Sequence, residues 1–182
     1  MTAQAERGLQ FIEPSIFERG APGRSAVSLP PAGRDLGAQG LADVSGMAVL
    51  SANYLAARLE GALPIAYPRP CTHEAVFSDR DLEPVGVKTL DVAKRLIDYG
   101  YHPPTVYFPL NVKGALMIEP TETESKETID AFVSAVTRVV AEAHEDPEII
   151  KQAPPNTRLG RMDEARAARK PVLRWKRPDS QA

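Results

Sequence analysis

The side chains best suited to chemistry fall in three short stretches. Cys71-Thr72-His73-Glu74 sets a thiol, an imidazole and a carboxylate within one tetrapeptide. An imidazole titrates near neutral pH, so His73 and Glu74 have the makings of an acid/base pair bordering a pocket. The plainer account is a strand-edge histidine beside a solvated glutamate, and the bare dipeptide favours it. A hydrolase built on Cys71, His73 and Glu74 lacks its remaining parts, because nothing here supplies a nucleophile, a base and an oxyanion site together. Cys71 reads as a small buried hydrophobe or a redox-exposed thiol. In the second stretch, Glu119, Glu122 and Glu124 offer a carboxylate cluster to a metal. Acidic residues at a helix N-terminus complement the helix dipole, and that reading is preferred. The third stretch, His102-Pro103-Pro104-Thr105, is stiff, since each proline biases the residue before it away from the α region. It is either a simple helix-to-strand connection or a fixed turn that presents His102 and Thr105 to a neighbouring domain.

These residues need elements to hold them. Leu41, Val44, Ala48, Leu55 and Leu59 recur at helical spacing and predict a long amphipathic helix over 36–59, stopped by Pro64. Ala62–Ala66 reads as a short strand and Glu74–Ser78 as another. Thr89 offers an N-cap to a short helix whose face carries Val92, Ala93, Leu96 and Ile97, and Gly100 closes it. Ala115–Ile118 reads as a buried strand ending at Glu119-Pro120. Thr121 and Glu124 have the spacing of a capping box, with Thr123 as a rival N-cap. They precede a second long helix with the apolar stripe Ile129, Phe132, Val133, Val136 and Val140. The order predicts an α+β fold, a small antiparallel or mixed sheet covered on one face by helices. Three regions follow: an extended arm over 1–34, an α+β domain over 35–146, and a basic, proline-bearing tail over 147–182. The arm's apolar anchors are Phe11, Ile12, Ile16 and Phe17, and the tail carries Val172, Leu173 and Trp175.

Composition narrows the function classes. The 182 residues are 43% apolar and 25% charged, with a formal net charge of -2, as in an ordinary soluble domain. No Lys/Arg cluster dominates, so nucleic acid is not an expected partner. One cysteine excludes an internal disulfide and a multi-cysteine zinc site. No stretch approaches the roughly 20 apolar residues that span a bilayer, and residues 1–7 lead into no apolar signal core. The expected location is the cytoplasm, with no membrane partner. The 17 prolines favour a loop-rich domain or a piece that wraps around something else.

Tyr99-Gly100-Tyr101-His102-Pro103-Pro104-Thr105, the run from Leu116 through Ile118-Glu119-Pro120 to Glu124, and the run from Ala165 to Trp175 together resemble the end of glycine decarboxylase. This is the P-protein of the glycine cleavage system, and the likeness is greatest to the second subunit of its two-subunit bacterial form. Asn53–Leu59 and Cys71–Glu74 fit the same pattern, so the resemblance is near continuous from Leu36 to Trp175. Glu13–Arg19 and Ser28–Pro31 resemble the opening of that subunit. In the family the pyridoxal-phosphate domain lies between those two parts. Here they meet between Ala32 and Leu36, as if the middle were deleted.

The resemblance implies the C-terminal small domain of a fold-type I pyridoxal-phosphate enzyme. The family enzyme decarboxylates glycine and passes the aminomethyl group to lipoyl H-protein, using a lysine that follows a histidine. None of Lys88, Lys94, Lys113, Lys126, Lys151, Lys170 or Lys176 follows a histidine, and no Gly/Ser-rich phosphate loop appears. The resemblance therefore implies a chain inactive alone, with no catalytic, cofactor-binding or metal-ligating residue of its own. It implies pocket-lining roles in the intact enzyme for His73, Glu74, His102 and Thr105, and interface roles for His102, Thr105 and Trp175. The implied partners are the first P-protein subunit or a full-length second subunit, with H-protein less favoured. The alternative is a stand-alone, non-catalytic interaction module derived from that domain.

Overall fold

A computed structural model of the chain describes residues 31–68 and 70–175, with side chains from residue 36 onward. The arm anchors Phe11, Ile12, Ile16 and Phe17 lie outside the described residues. Helix α1, Pro31–Arg58, starts earlier than the apolar period indicates and breaks at Gly37, whose φ of 63° and ψ of -174° are not helical. Only its last turns dock fully: Ala52 and Leu55 are buried, as is Leu59 just beyond, whereas Met47, Val49 and Leu50 face solvent.

The sheet is antiparallel, in the order β1-β3-β2, with β1 at Ala75–Ser78, β2 at Thr105–Val106 and β3 at Ala115–Ile118. Ala75 pairs with Ile118 and Phe77 with Leu116, while Thr105 pairs with Met117. The strand expected at Ala62–Ala66 reduces to a single bridge, Ile65 to Phe77. Helix α2 spans Thr89–Asp98, α3 Lys126–Glu145, α4 Pro147–Gln152 and α5 Glu164–Arg169. Leu55, Leu59, Phe77, Leu96, Val136, Val139 and Ile150 meet in one core between the sheet and helices α1 to α4. The α+β expectation holds, with the sheet antiparallel. No helix among the described residues is long and apolar enough to cross a membrane.

Helix ends decide where the loops go. At α2, Gly100 has φ 83°; its N–H donates to Ile97 O at 2.9 Å and the Tyr101 N–H to Leu96 O at 3.0 Å. That is a Schellman ending, and it aims the chain into Tyr101-His102-Pro103-Pro104. Two expected N-caps move by one or more residues. Lys88 rather than Thr89 caps α2, and the Asp91 carboxylate accepts from the Lys88 N–H at 2.9 Å. Ser125 rather than Thr121 or Thr123 caps α3, its Oγ accepting from the Thr128 N–H at 3.2 Å. Thr121 instead bonds Thr123 hydroxyl to hydroxyl at 2.9 Å, within a turn before the helix. Glu119, Glu122 and Glu124 all precede α3, and the acidic residue of its first turn is Glu127. Glu119 and Glu122 thus stand away from the first turn of α3, while Glu124 directly precedes its N-cap.

Thr89 has a different task. Its N–H and Oγ both approach Oδ2 of buried Asp79, at 2.8 and 2.9 Å, and Oγ lies 2.6 Å from Gly114 O. This knot ties the start of α2 to the end of β1 and the entry to β3. A buried carboxylate needs such partners, because leaving it unpaired is costly.

Candidate functional site

The Schellman turn and the tandem prolines build one wall of a groove of about 260 Å³. Tyr101, His102, Pro103 and Pro104 form that wall, and the strand end Ile118-Glu119-Pro120 forms a second. Thr128, Ile129 and Phe132 of α3 close the third side, with Glu124 at its start and buried Leu55 of α1 beneath. Tyr101 and Phe132 meet edge to face, with ring centroids 5.2 Å apart and planes at 77°, an arrangement that favours a fixed wall. The groove is chiefly apolar. Besides the Tyr101 phenol its ionisable groups are His102, Glu119 and Glu124, and its lining holds no lysine or arginine.

Beside it, at the end of the β1–β3 pair, lies a smaller polar cluster. His73 Nε2 is 4.0 Å from Glu74 Oε2 and 3.9 Å from Glu119 Oε1. Asn53 of α1 places the loop that carries His73. Its side-chain amide accepts from the Cys71 N–H and donates to Cys71 O, both at 2.8 Å. Burial pushes the Cys71 thiol above its usual value, which disfavours a reactive thiolate.

Two ionic clusters hold the groove walls. Glu142 of α3 accepts from Tyr99 Oη at 2.6 Å and from Arg95 Nε at 2.9 Å, and Arg95 also reaches Asp98 at 3.2 Å. Burial alone would raise the Glu142 carboxyl, but the Arg95 and Tyr99 hydrogen bonds and the Arg95 charge hold it below its usual value. Burial and the same carboxylate raise Tyr99, and the hydrogen bond to Glu142 raises Arg95. On the other side, Asp130 of α3 accepts from Lys126 Nζ and from Tyr54 Oη of α1, each at 2.6 Å. The Lys126 hydrogen bond, then that of Tyr54, lowers the Asp130 carboxyl.

Of the residues singled out in the sequence, the fold brings His102 and Glu119 into one groove, and His73 and Glu74 beside Glu119. Thr105 heads β2, exposed and outside the groove lining. Trp175 is 80% exposed, as the tail's Val172 and Leu173 also are at 91% and 87%. Among its described residues the tail expected over 147–182 is docked in its first part, where Ile150 of α4 and Ala153 are buried in the core, and Arg161 adds the polar ties. Arg161 pairs with Asp91 at 2.7 Å and donates to Ala153 O and Ile150 O at 2.8 and 3.2 Å. Sequence reasoning missed Tyr101, Thr128 and Phe132 as groove residues. Adjacency of Tyr101 to His102 was the available signal, while Thr128 and Phe132 share an α3 face whose partner only the fold reveals.

Comparison with known proteins places these elements in context. The family model described as glycine dehydrogenase, C-terminal domain, matches residues 44–156. The chain is 56% identical over 142 residues to a probable glycine dehydrogenase (decarboxylating) subunit 2 of Oceanobacillus iheyensis, covering 78% of this chain and 29% of that protein. Its similarity to the proteins of the same description from Bacillus velezensis and Halalkalibacterium halodurans is 56% and 54% identity, each over 144 residues. Those alignments cover 79% of this chain in both cases, and 29% and 30% of the respective relatives. The chain thus spans under a third of the length of the curated relatives it matches.

Proposed function

The chain belongs to the glycine dehydrogenase C-terminal domain family, and from that premise we propose that it is the small domain that closes over a pyridoxal-phosphate domain carried by another chain. The carrying observation is the groove itself. Its walls, Tyr101–Pro104 and Ile118–Pro120, come from two of the three stretches that carry the resemblance, and the fold brings them to one groove. An apolar cleft with a few convergent polar groups suits the margin of a binding pocket that a second domain completes. His102 and Thr105 are then the residues presented to that domain, and His73 and Glu74 border the completed pocket.

Pyridoxal phosphate itself does not fit this groove. The cofactor needs a lysine for its imine and cationic or N–H donors for its phosphate. The lining offers two carboxylates, Glu119 and Glu124, and no lysine or arginine, so phosphate would meet like charge. This supports assigning glycine decarboxylation and aminomethyl transfer to the complete enzyme and not to this chain alone. The partners of this reading are a first P-protein subunit or a full-length second subunit, with H-protein a weaker candidate. The exposed Val172, Leu173 and Trp175 favour, as a second reading, a module whose sole task is docking.

The test is co-purification of the full chain with each P-protein subunit at high micromolar concentration, with pyridoxal phosphate titrated into the chain alone. Retention of one subunit and no saturable imine absorbance are expected. Loss of both subunits overturns the closing-domain reading, and a single lysine trapped by borohydride overturns the assignment of cofactor chemistry elsewhere.

A further inference from the structure

We propose that His73, Glu74 and Glu119 form a binding site for a divalent first-row transition ion, of which zinc is the probe, at the rim of the groove. The donor atoms of the three side chains, one imidazole nitrogen and two carboxylate oxygens, all lie within 4.8 Å of one another. A zinc ion with ligands at about 2.0–2.2 Å holds pairs of donors roughly 3.4 Å apart in tetrahedral geometry. The observed separations from His73 Nε2, 4.0 Å to Glu74 and 3.9 Å to Glu119, exceed that value by about 0.5 Å, and the two carboxylate oxygens, within 4.8 Å of each other, close to it by side-chain rotation of about 1.4 Å at most.

The backbone supplies an independent reason for a cation here. Ala75 pairs with Ile118 in the antiparallel ladder, so Glu74 and Glu119 stand one step further along, directly across from each other. Like charges placed opposite across a strand pair repel, and among the described residues the only positively chargeable side chain paired with either is His73. A neutral imidazole coordinating a dication offsets both carboxylates at once. The three ligands are positioned by separate supports. Asn53 clips the Cys71 backbone through two 2.8 Å hydrogen bonds, which sets the approach to His73. Glu74 immediately precedes β1 and Glu119 immediately follows β3, and hence both inherit their spacing from the sheet. The imidazole selects against magnesium and calcium, which take all-oxygen shells, and the two carboxylates select against a soft-thiolate metal. Three protein donors leave a coordination position for water or for a group lying in the groove, since Glu119 belongs to both sites.

This site differs from the carboxylate trio suggested by sequence alone: Glu122 and Glu124 are not in it, and a histidine is. It stands whether or not the chain is a closing domain.

The experiment is isothermal titration of zinc chloride into the full 182-residue chain in chelator-free buffer at pH 7.5, with cobalt(II) absorbance as a second readout of coordination number. One saturable site is expected. His73→Ala should weaken it at least tenfold and Glu119→Gln several-fold, while His102→Ala, His144→Ala and Cys71→Ser leave it unchanged. All three site residues are half-buried or exposed, so these variants should keep the wild-type circular dichroism. Should a variant unfold, line broadening of the His73 ring signals by manganese in the wild-type chain decides the matter. Absence of saturable binding, or affinity that survives His73→Ala, overturns the proposal and leaves the three residues as a plain ionic cluster.

Discussion

Gly114→Ala tests the knot that anchors the groove wall through α2. Gly114 has φ 61° and a Cβ added there would lie 1.7 Å from Asp79 Oδ1 and 2.3 Å from its Cγ. Ordinary contact begins near 3.4 Å, so the Asp79 carboxylate must retreat by more than an ångström. It cannot do so and keep the bonds from Thr89 N–H and Oγ at 2.8 and 2.9 Å. The left-handed backbone costs a non-glycine residue about 1 kcal/mol, and each hydrogen bond lost from a charged group costs about 1.5–3 kcal/mol. The expected loss is therefore about 4–7 kcal/mol, a large part of the roughly 5–15 kcal/mol that holds a domain folded. Urea unfolding followed by far-ultraviolet circular dichroism measures it. The decisive control repeats the substitution in an Asp79→Ala background, where the clash is gone and only the backbone term of about 1 kcal/mol should remain. If Gly114→Ala costs under about 1 kcal/mol in the parent, or the same in both backgrounds, the steric and hydrogen-bond account of this corner is wrong.

Glu142→Gln should cost about 1–2 kcal/mol at neutral pH, because Tyr99 and Arg95 lose a charged acceptor. The folded Glu142 carboxyl lies below its usual value, so its contribution is present above the unfolded value near pH 4.3 and fades as pH falls through the folded one. Parent and variant stabilities should accordingly converge below about pH 4; a gap that widens with acid would refute that sign. Arg161→Ala should leave global stability within about 1 kcal/mol, as a partly exposed pair does. It should also speed proteolysis beyond residue 157, since Arg161 joins the tail to Asp91 and to α4. Trp175→Ala should shift stability by less than about 0.5 kcal/mol, because the ring is 80% exposed, yet reduce retention of a P-protein subunit. Retention unchanged by both Trp175→Ala and Thr105→Ala would put the interface on another face.

Much of the scaffold was legible because local signals agreed with tertiary ones. The α3 stripe from Ile129 to Val140 faces the core at helical spacing, and Ala115–Ile118 pairs as a strand. Gly100 closes α2 as its type suggests. The misreadings have local causes. Thr121, Thr123 and Ser125 all suit an N-cap, and the turn closed by the Glu124 N–H on Thr121 O uses up the earlier pair. Strand β2 is two residues long after tandem prolines, too short to show a period of two. Leu41, Val44 and Ala48 share a helix face with Leu55, but the core is reached only from Ser51 onward, so periodicity overstated how far α1 is covered.

The site was less legible, and Glu119 shows why. In sequence it belongs with Glu122 and Glu124, and a helix-dipole role accounts for all three. In the fold that grouping dissolves. Glu124 stays with the groove beside α3, while Glu119 is carried by β3 to face Glu74 across the ladder and His73 beyond it. A pairing between residues 74 and 119 depends on strand register, which no local pattern specifies until both strands and their order are known. The residues nearest to chemistry here are therefore those whose neighbours lie 45 positions away. That is also why His73 and Glu74 look bland as a dipeptide. The sequence shows one carboxylate beside the imidazole, and the sheet brings the second, which turns a solvated pair into a three-sided donor set on the lip of an apolar groove.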